Sequence, residues 1–536
     1  MSLVELAKAW VSQDPDNKTR LELQNLIDQG DLEQLRQRFS QLLQFGTAGL
    51  RGELGAGPNR MNRIVVSYAA LAIARFLSAE KTTYQNKAGE LTVVIGYDGR
   101  ENSDMFARDT AEILQANGCQ AILFDFAVPT PVAAYMGKRL GASATIVVTA
   151  SHNPPRDNGY KVYLGGPNGN SQLIAPQDKA IAKLIEEISQ TETFSSISHS
   201  ADFAKLSQSD VDLYIDRAVS LVSKVNQNRE HLKITHTSLH GVGWKVIKKT
   251  FDELGFSVSP VPEQMQPDST FPTVAFPNPE EPGAMDLAYS FATQSASDLI
   301  LANDPDADRL AVAVPADGGW KMLTGDQVGL ILADYVASQH TSGTIANSIV
   351  SANLSNVAKH FHLKYEQTLT GFKWISKVPN LIYGYEEALG YCVDPLHTPD
   401  KDGITAAVLM AEIATNLKAQ GSTLSEHLDK LYEIYGQVST GQVSVRVGDL
   451  SKIERIMRHV RQFPPSEFDG MLTVTDLALS EKLKTDAIIV ENDSARMIFR
   501  PSGTEPKLKC YLQFNGDVHG LNRLKELAAS YLAAAQ

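Results

Sequence analysis

Three short stretches of this 536-residue chain carry side chains whose types and spacing suit chemistry. In "TASHNPPRDNGYK" (149–161) a hydroxyl, Ser151, stands beside an imidazole, His152, on a Pro-, Asn- and Gly-rich turn directly after the apolar run "ATIVV". A serine in that place is displayed at the end of a strand, where working residues sit. In "NDPDADR" (303–309) Asp304, Asp306 and Asp308 alternate between two apolar strands. Three crowded carboxylates repel one another, and their oxygens suit a hard divalent cation such as Mg²⁺. A calcium EF-hand would need Gly at the sixth loop position and Glu at the twelfth, where this chain has Arg309 and Pro315. A solvated acidic turn is the competing account. The third stretch, "RPSGTEPKLK" from Arg500, gathers Arg500, Ser502, Thr504 and Lys507 around Gly503. Guanidinium, hydroxyls, ammonium and backbone N–H groups together suit a phosphate dianion, although a surface turn uses the same residues.

Other nucleophile and nucleotide chemistries fit poorly. A Ser-His hydrolase places its imidazole opposite the serine rather than next to it in sequence, and no G-x-S-x-G elbow occurs. No G-x-x-x-x-G-K-[ST] is present, and "HGVGW" supplies only part of a dinucleotide fingerprint. A serine near a carboxylate-held metal, in a chain that also carries a phosphate loop, points to phosphoryl transfer. Two further stretches read as substrate contacts: "LTGFKWI" with Thr370, Gly371 and Lys373, and "GYEEALGY" with Glu386 and Glu387. Carboxylates that accept from neighbouring hydroxyls grip sugars, though each stretch alone also fits a solvated loop.

These residues need a scaffold of several domains, since the chain exceeds the size at which one core keeps growing. The N-terminal third alternates helical and strand patterns, from "DLEQLRQRFSQLLQ" through "LTVVIGYDGR" to "GASATIVVTA", predicting an α/β layer with parallel strands. The pattern restarts with "DVDLYIDRAVSLVSKV", and again near Leu323; beyond about residue 440 it shifts to the strands and closing helix of a smaller α+β unit. The expected domains are residues 1–205, 206–315, 316–438 and 439–536.

A hydrophobic fraction of 43% and a charged fraction of 21% are ordinary for a globular chain. No apolar run approaches the roughly 18 residues of a membrane span, and the first residues lack a signal-peptide core, so a cytoplasmic protein is expected. Cys119, Cys392 and Cys510 have no CxxC spacing, which argues against a zinc site or a disulfide framework. Forty-nine basic against 62 acidic side chains leave a formal charge of −13, unfavourable for nucleic acid or anionic membrane partners. An anionic substrate needs a locally basic pocket.

Taken in order, "FGTAGLRG" (45–52), "TASHNPPRDNGYK", "DPDADR", "LTGFKW", "GYEEALGY", "PDKDG" (399–403) and "RPSGTEPK" resemble the α-D-phosphohexomutase family, whose members interconvert hexose 1- and 6-phosphates. The resemblance implies four domains around a cleft, three related α/β domains and a smaller α+β one. It implies that Ser151 carries a phosphoryl group that joins Asp304, Asp306 and Asp308 in a Mg²⁺ site. It makes Arg51, Lys161 and Lys401 basic residues of the catalytic end, with Lys161 or His152 as proton shuttle. It assigns Arg309 to phosphate neutralisation, Thr370, Gly371, Lys373 and Glu386 to the sugar, and Arg500, Ser502, Gly503, Thr504 and Lys507 to the phosphate that does not react. A sugar 1,6-bisphosphate is the implied intermediate and activator, the phosphorylated sugar is the implied partner, and the oligomeric state is monomer or small homo-oligomer.

One departure bears on the substrate. Many phosphoglucomutases carry E-x-S in the sugar loop, whereas Ala388 stands where that serine would fall. The form E-E-A-x-G-Y resembles the subgroup of bacterial phosphoglucomutase/phosphomannomutases and animal-type phosphopentomutases. Glucose, mannose and a pentose 1-phosphate all stay open, as do a glucose 1,6-bisphosphate synthase and a non-catalytic sugar-phosphate sensor. The intact serine, aspartates and clamp argue against the sensor.

Overall fold

A computed structural model describes residues 2–46, 49–223, 226–447, 450–501 and 507–535. The chain divides into two compact units, Met1–Leu323 with Gly390–Gly421, and Thr324–Leu389 with Ser422–Gln536.

The first unit holds two sheets. In one, Thr92–Tyr97 lies between Gln120–Phe124 and Ala144–Val148, all parallel, with Ala204–Leu206 parallel beyond Gln120–Phe124. Every residue of Ala144–Val148 is buried, as its unbroken apolar run requires when helices cover both faces. Helix Arg63–Ala79, capped by the Asn62 side chain on Val65 N, is buried on nearly all sides against this sheet's neighbours. The sheet is not purely parallel. Asp157–Leu164 runs antiparallel to Ala144–Val148, and Leu50–Glu53 antiparallel to Asp157–Leu164. The reason lies in chain length: residues 149–156 are too few to cross over to a parallel neighbour, so the chain must turn back as a hairpin.

The second sheet repeats this plan. Lys233–Thr237 is parallel to Ser257–Pro260 and Leu299–Ala302, and Leu299–Ala302 then turns back into antiparallel Ala311–Ala316 and Gly319–Met322. Thus both chemical loops, 149–156 and 303–310, are tips of hairpins at the carboxyl ends of parallel strands. The buried helix Gly403–Ala419 completes this unit, capped by Asp402 on Ile404 N and Thr405 N.

The second unit starts with parallel strands Thr344–Ser348, Lys364–Thr368 and Leu381–Glu386. Helices Gly325–Ser338 and Leu424–Tyr435 each open with a capping box, Thr324/Gln327 and Thr423/Glu426. An antiparallel five-stranded sheet follows, ordered Ser439–Arg446, Lys507–Phe514, Ala495–Pro501, Ile488–Glu491, Thr473–Asp476. Helices Leu450–Gln462 and Val518–Ala534 supply Ile456, Val460, Leu524 and Ala528 to its core. The three α/β parts and the final sheet form the expected mixed α/β architecture. Among the described residues no helix is long and apolar enough to cross a membrane.

Candidate active site

Ser151 sits at the hairpin tip with φ 52°, the left-handed region that L residues avoid at a cost of about 1–2 kcal/mol. Its surroundings hold it there. Its N–H donates to Thr149 Oγ1 at 2.8 Å, and Arg100 Nη2 donates to its carbonyl at 2.6 Å. Arg100 also reaches the carbonyls of Asn153, Pro154 and Asp157, so one buried guanidinium gathers the whole turn. Asp98 supports it, accepting from Arg100 N, Ser103 Oγ and Thr149 Oγ1. The left-handed turn also swings adjacent side chains to one side, and Ser151 Oγ lies 3.1 Å from His152 Nδ1. Sequence neighbours therefore do meet here, contrary to the expectation from spacing.

Ser151 Oγ donates to Asp304 Oδ2 at 2.6 Å. Asp304, Asp306 and Asp308 are fully buried, and one oxygen of each lies within 4.8 Å of the others. A solvated acidic turn is thereby excluded. Arg309 N donates to Asp304 Oδ1, Thr130 Oγ1 to Asp306 Oδ2, and Lys161 Nζ to both Asp306 Oδ2 and Asp308 Oδ2 at 2.6 Å. Lys401 Nζ stands 3.4 Å from Asp308 Oδ2, and Arg309 Nε 3.9 Å from Asp308 Oδ1. Lys161 owes its place to the register that pairs it with Val147, on the strand next to the serine's own and near that strand's end. Lys401 is positioned by Asp400, which accepts from Tyr163 OH and Gln172 Nε2.

The electrostatics follow from crowding. Burial, then the charges of Asp306 and Asp308, push the Asp304 carboxyl well above the carboxylate range. Burial opposes ionisation of Asp306 and Asp308 too, and the Asp308 charge adds to it at Asp306, but Lys161 with Thr130 at Asp306, and Lys161, Lys401 and Arg309 at Asp308, together hold both low. Burial likewise works against the Lys161 ammonium, yet Asp306 and Asp308 keep its pKa raised. Burial, Arg309 and Arg51 hold His152 well below its usual value, so the ring is neutral near pH 7. Arg51, half-buried on Leu50–Glu53, reaches Asn153 Oδ1 at 3.4 Å, and burial lowers its pKa.

The residues fit a divalent cation. Buried Asp306 Oδ1 and Asp308 Oδ1 have no hydrogen-bond partner among the described residues, and Asp304 is driven toward protonation without a cation. Oxygen-only ligands of this kind suit Mg²⁺.

The acidic loop is braced by residues that the spacing of charges did not reveal. Asn303 Nδ2 donates to Arg309 O at 2.6 Å, closing the loop, while His236 Nε2 meets Asn303 Oδ1 at 2.9 Å. Gly403 comes so near that a Cβ there would lie 2.2 Å from Arg309 O, which explains the glycine that ends "DKDG". Gly241, in "HGVGW", plays the same part on the other side: a Cβ would lie 2.2 Å from Pro305 Cα. That motif shapes a brace for the metal loop. Gly241→Ala is expected to displace the loop, lowering the melting temperature by an overpacking cost of about 1–3 kcal/mol and reducing turnover; unchanged melting and turnover would contradict the brace. Asp98 and Arg100 were legible as charges ending the apolar strand "TVVIGYDGR"; nothing local marked Thr130 or His236.

The second unit carries the remaining predicted residues. Thr370 and Gly371 follow the parallel strand Lys364–Thr368, with Lys373 in the next helical turn, and Glu386 ends the parallel strand Leu381–Glu386, so both loops leave the same sheet edge. Parallel α/β sheets bind ligands at that edge. Thr370 Oγ1 is buried with no partner among the described residues. Glu387 is tied to Ser351, whose Oγ donates to Oε2 at 2.7 Å, and burial raises its pKa to about 7. The two glutamates are thus unequal, Glu387 anchoring the loop beside Glu386. Arg500 lies on Ala495–Pro501, paired with Lys509, and Lys507 begins the neighbouring strand. The Tyr511 hydroxyl hydrogen-bonds Arg500 and feels the charges of Glu387 and Glu386, which brings Arg500 near the two glutamates. Ser502, Gly503 and Thr504 lie outside the described residues.

A serine against buried carboxylates, ringed by lysines and arginines, is a set of groups suited to phosphoryl transfer, carried on an α/β scaffold. Models of phosphoglucomutase/phosphomannomutase α/β/α domains I, II and III match residues 42–192, 212–318 and 324–435. The chain is 46% identical to a probable phosphomannomutase of Haemophilus influenzae, over 85% of this chain and 93% of that one. It is 32% identical to a human phosphopentomutase, over 97% and 94%. A crystal structure of a putative phosphomannomutase from Thermus thermophilus shares the fold with a TM-score of 0.71 at 22% identity, covering 91% of this chain and 99% of that one. The chain belongs to the phosphoglucomutase/phosphomannomutase family and is an enzyme, a phosphosugar mutase.

Proposed function

We propose that the protein interconverts hexose 1-phosphate and hexose 6-phosphate, of glucose, mannose or both, through a phosphoserine at Ser151 and a sugar 1,6-bisphosphate. The observation that carries this reading is the 2.6 Å contact of Ser151 Oγ with the buried aspartate cluster, inside a ring of cations. Mg²⁺ held by the three aspartates and a phosphate oxygen on Ser151 would offset charge on the transferring group.

In this reading the sugar's free hydroxyl oxygen attacks phosphorus as the bond from phosphorus to Ser151 Oγ breaks. The bonding pair stays on Oγ, and the hydroxyl proton passes to a base. At Oγ itself, neutral His152, 3.1 Å away, is suited to take the serine proton when the bisphosphate returns its phosphate to Ser151, whereas Lys161 is held cationic by two carboxylates. Arg309, Arg51 and Lys401 face the negative charge that spreads over the phosphoryl oxygens. The bisphosphate then turns end for end and returns its other phosphate to Ser151. Arg500, Lys507 and the loop between them hold the phosphate that is not reacting, which requires a clamp separate from the serine.

Three buried free thiols fit a reducing cytoplasm. The second reading is a pentose mutase, favoured by Ala388 in place of a sugar-loop hydroxyl. The deciding experiment is a coupled assay with Mg²⁺ and catalytic glucose 1,6-bisphosphate, comparing glucose, mannose and ribose 1-phosphates by kcat/KM. Faster turnover of a hexose supports the first reading, preference for ribose establishes the second, and accumulation of bisphosphate as product would make the protein a synthase. Arg500→Ala is expected to raise KM about tenfold or more with a smaller change in kcat; an unchanged KM would contradict the clamp.

A further inference from the structure

The serine turn hangs on one guanidinium, and that guanidinium lies on a ring. Arg100 donates from Nη1 to the carbonyls of Pro154 and Asp157, both at 2.9 Å, and from Nη2 to those of Ser151 and Asn153 at 2.6 and 2.7 Å. Its Nε has no hydrogen-bond partner among the described residues, and Asp98 Oδ2 stands 3.5 Å from it. The terminal nitrogens are thus committed to the turn, and the flat face of the group is what remains to fix its tilt. That face lies over Phe271, with Cζ 5.0 Å from the ring centroid, inside the range of a cation–π contact. Both residues are buried, where such a contact is stronger than at an exposed site.

Phe271 belongs to the half of the unit that carries the acidic loop. It lies in the connection that follows Ser257–Pro260, and of residues 266–273 it alone is buried. Its φ is 48°, the left-handed region that bulky L residues avoid, and such a backbone persists only where its surroundings over-determine it. Docking of the connection does not account for the ring. Asp268 N donates to His240 O at 3.0 Å, and Thr273 Oγ1 meets His240 Nε2 at 2.8 Å and accepts from Gln264 Nε2 at 2.9 Å, all without the Phe271 side chain. The ring itself meets the His240 ring edge-on at 6.4 Å, just beyond strand Lys233–Thr237, which shares a sheet with Leu299–Ala302. Gly99 permits the approach, since a Cβ there would lie 2.7 Å from Pro267 Cβ. We propose that Phe271 is a positioning residue for phosphoryl transfer, its ring setting the tilt of Arg100 and hence the place of Ser151 Oγ against Asp304. The inference rests on the reading of Ser151 as the phosphoryl carrier.

The test compares wild type with Phe271→Leu, which keeps an apolar side chain without a ring, and Phe271→Tyr, which keeps the ring. Loading of Ser151 from glucose 1,6-bisphosphate is followed by mass spectrometry, and turnover is read as kcat and KM. Phe271→Leu is expected to load and turn over about tenfold more slowly, with KM within about twofold of wild type because Arg500 and Lys507 are untouched. Phe271→Tyr should recover to within about twofold of wild type, and Mg²⁺ should raise the melting temperature of all three alike, since the aspartates are unchanged. If Phe271→Leu does not fold, Gly99→Ala replaces it: pressing on Pro267, it shifts the ring, and the same loss of kcat at retained KM is expected. Wild-type loading in the folded variant, a KM that rises as kcat falls, a lost response to Mg²⁺, or a Phe271→Tyr as slow as Phe271→Leu would overturn the proposal. A wild type that never carries a phosphoryl group on Ser151 would remove the underlying reading, and the proposal with it.

Discussion

Ser151→Ala is expected to lose turnover by at least ~10⁴-fold, the scale on which removal of a covalent nucleophile is felt. The loss should not come from unfolding. Alanine pays about the same cost as serine for the left-handed backbone at this position, and the bonds that hold the turn run to the backbone N–H and carbonyl, which the variant retains. The one side-chain bond between elements that is lost runs to Asp304. Mg²⁺ should therefore still raise the melting temperature of the variant, because the three aspartates remain. Incubation with glucose 1,6-bisphosphate followed by mass spectrometry should place a phosphoryl group on the peptide containing residue 151 in wild type and none in the variant. Near-normal turnover, or phosphorylation elsewhere on the chain, would remove Ser151 from the reaction.

The second large effect separates activity from stability. Asp304→Asn is expected to lower turnover by about 10²–10³-fold or more, as loss of a charged group at the transferring phosphoryl does, and yet to stabilise the metal-free protein. Burial and the neighbouring Asp306 and Asp308 charges hold the folded-state pKa of Asp304 well above the ordinary carboxylate range, so its favourable contribution is complete only below that range and is lost as pH rises through the folded pKa. At neutral and alkaline pH the ionised cluster is a burden that only a cation relieves. In a chelator the variant should melt above wild type by one to several degrees at about pH 8, with the gap closing toward pH 4. With saturating Mg²⁺ the wild type should recover more than the variant, by mass action on an intact site. A variant that melts below wild type in chelator at high pH would show that the cluster is not under charge repulsion.

Much of this site was legible before any coordinates. The aspartates at alternate positions, the serine on a turn directly after a buried strand and the cation-rich C-terminal loop are local patterns, and local patterns survive in sequence because each residue's chemistry is carried by its neighbours in the chain. Element types were legible for the same reason: apolar runs of five residues and helical periodicities are written within single segments. The parallel plan was only partly right, since the hairpins after Ala144–Val148 and Leu299–Ala302 turn on loop length rather than on apolar pattern.

What the sequence by itself determined was therefore the inventory: a serine, a carboxylate triad, two lysines, a phosphate loop and the strands that end in them. Tertiary structure alone decided their relations. Ser151 and Asp304 are 153 residues apart and share a 2.6 Å hydrogen bond; Lys161 spans 145 and 147 residues to reach Asp306 and Asp308. The same holds for the supports that no motif announced, Arg100 under the serine turn, His236 and Asn303 closing the acidic loop, and Gly241 making room for Pro305. Hydrogen bonds and close contacts act over a few ångströms in space with no regard to separation along the chain, so which groups meet, which stay charged and which are left neutral is settled only when the strands are laid side by side.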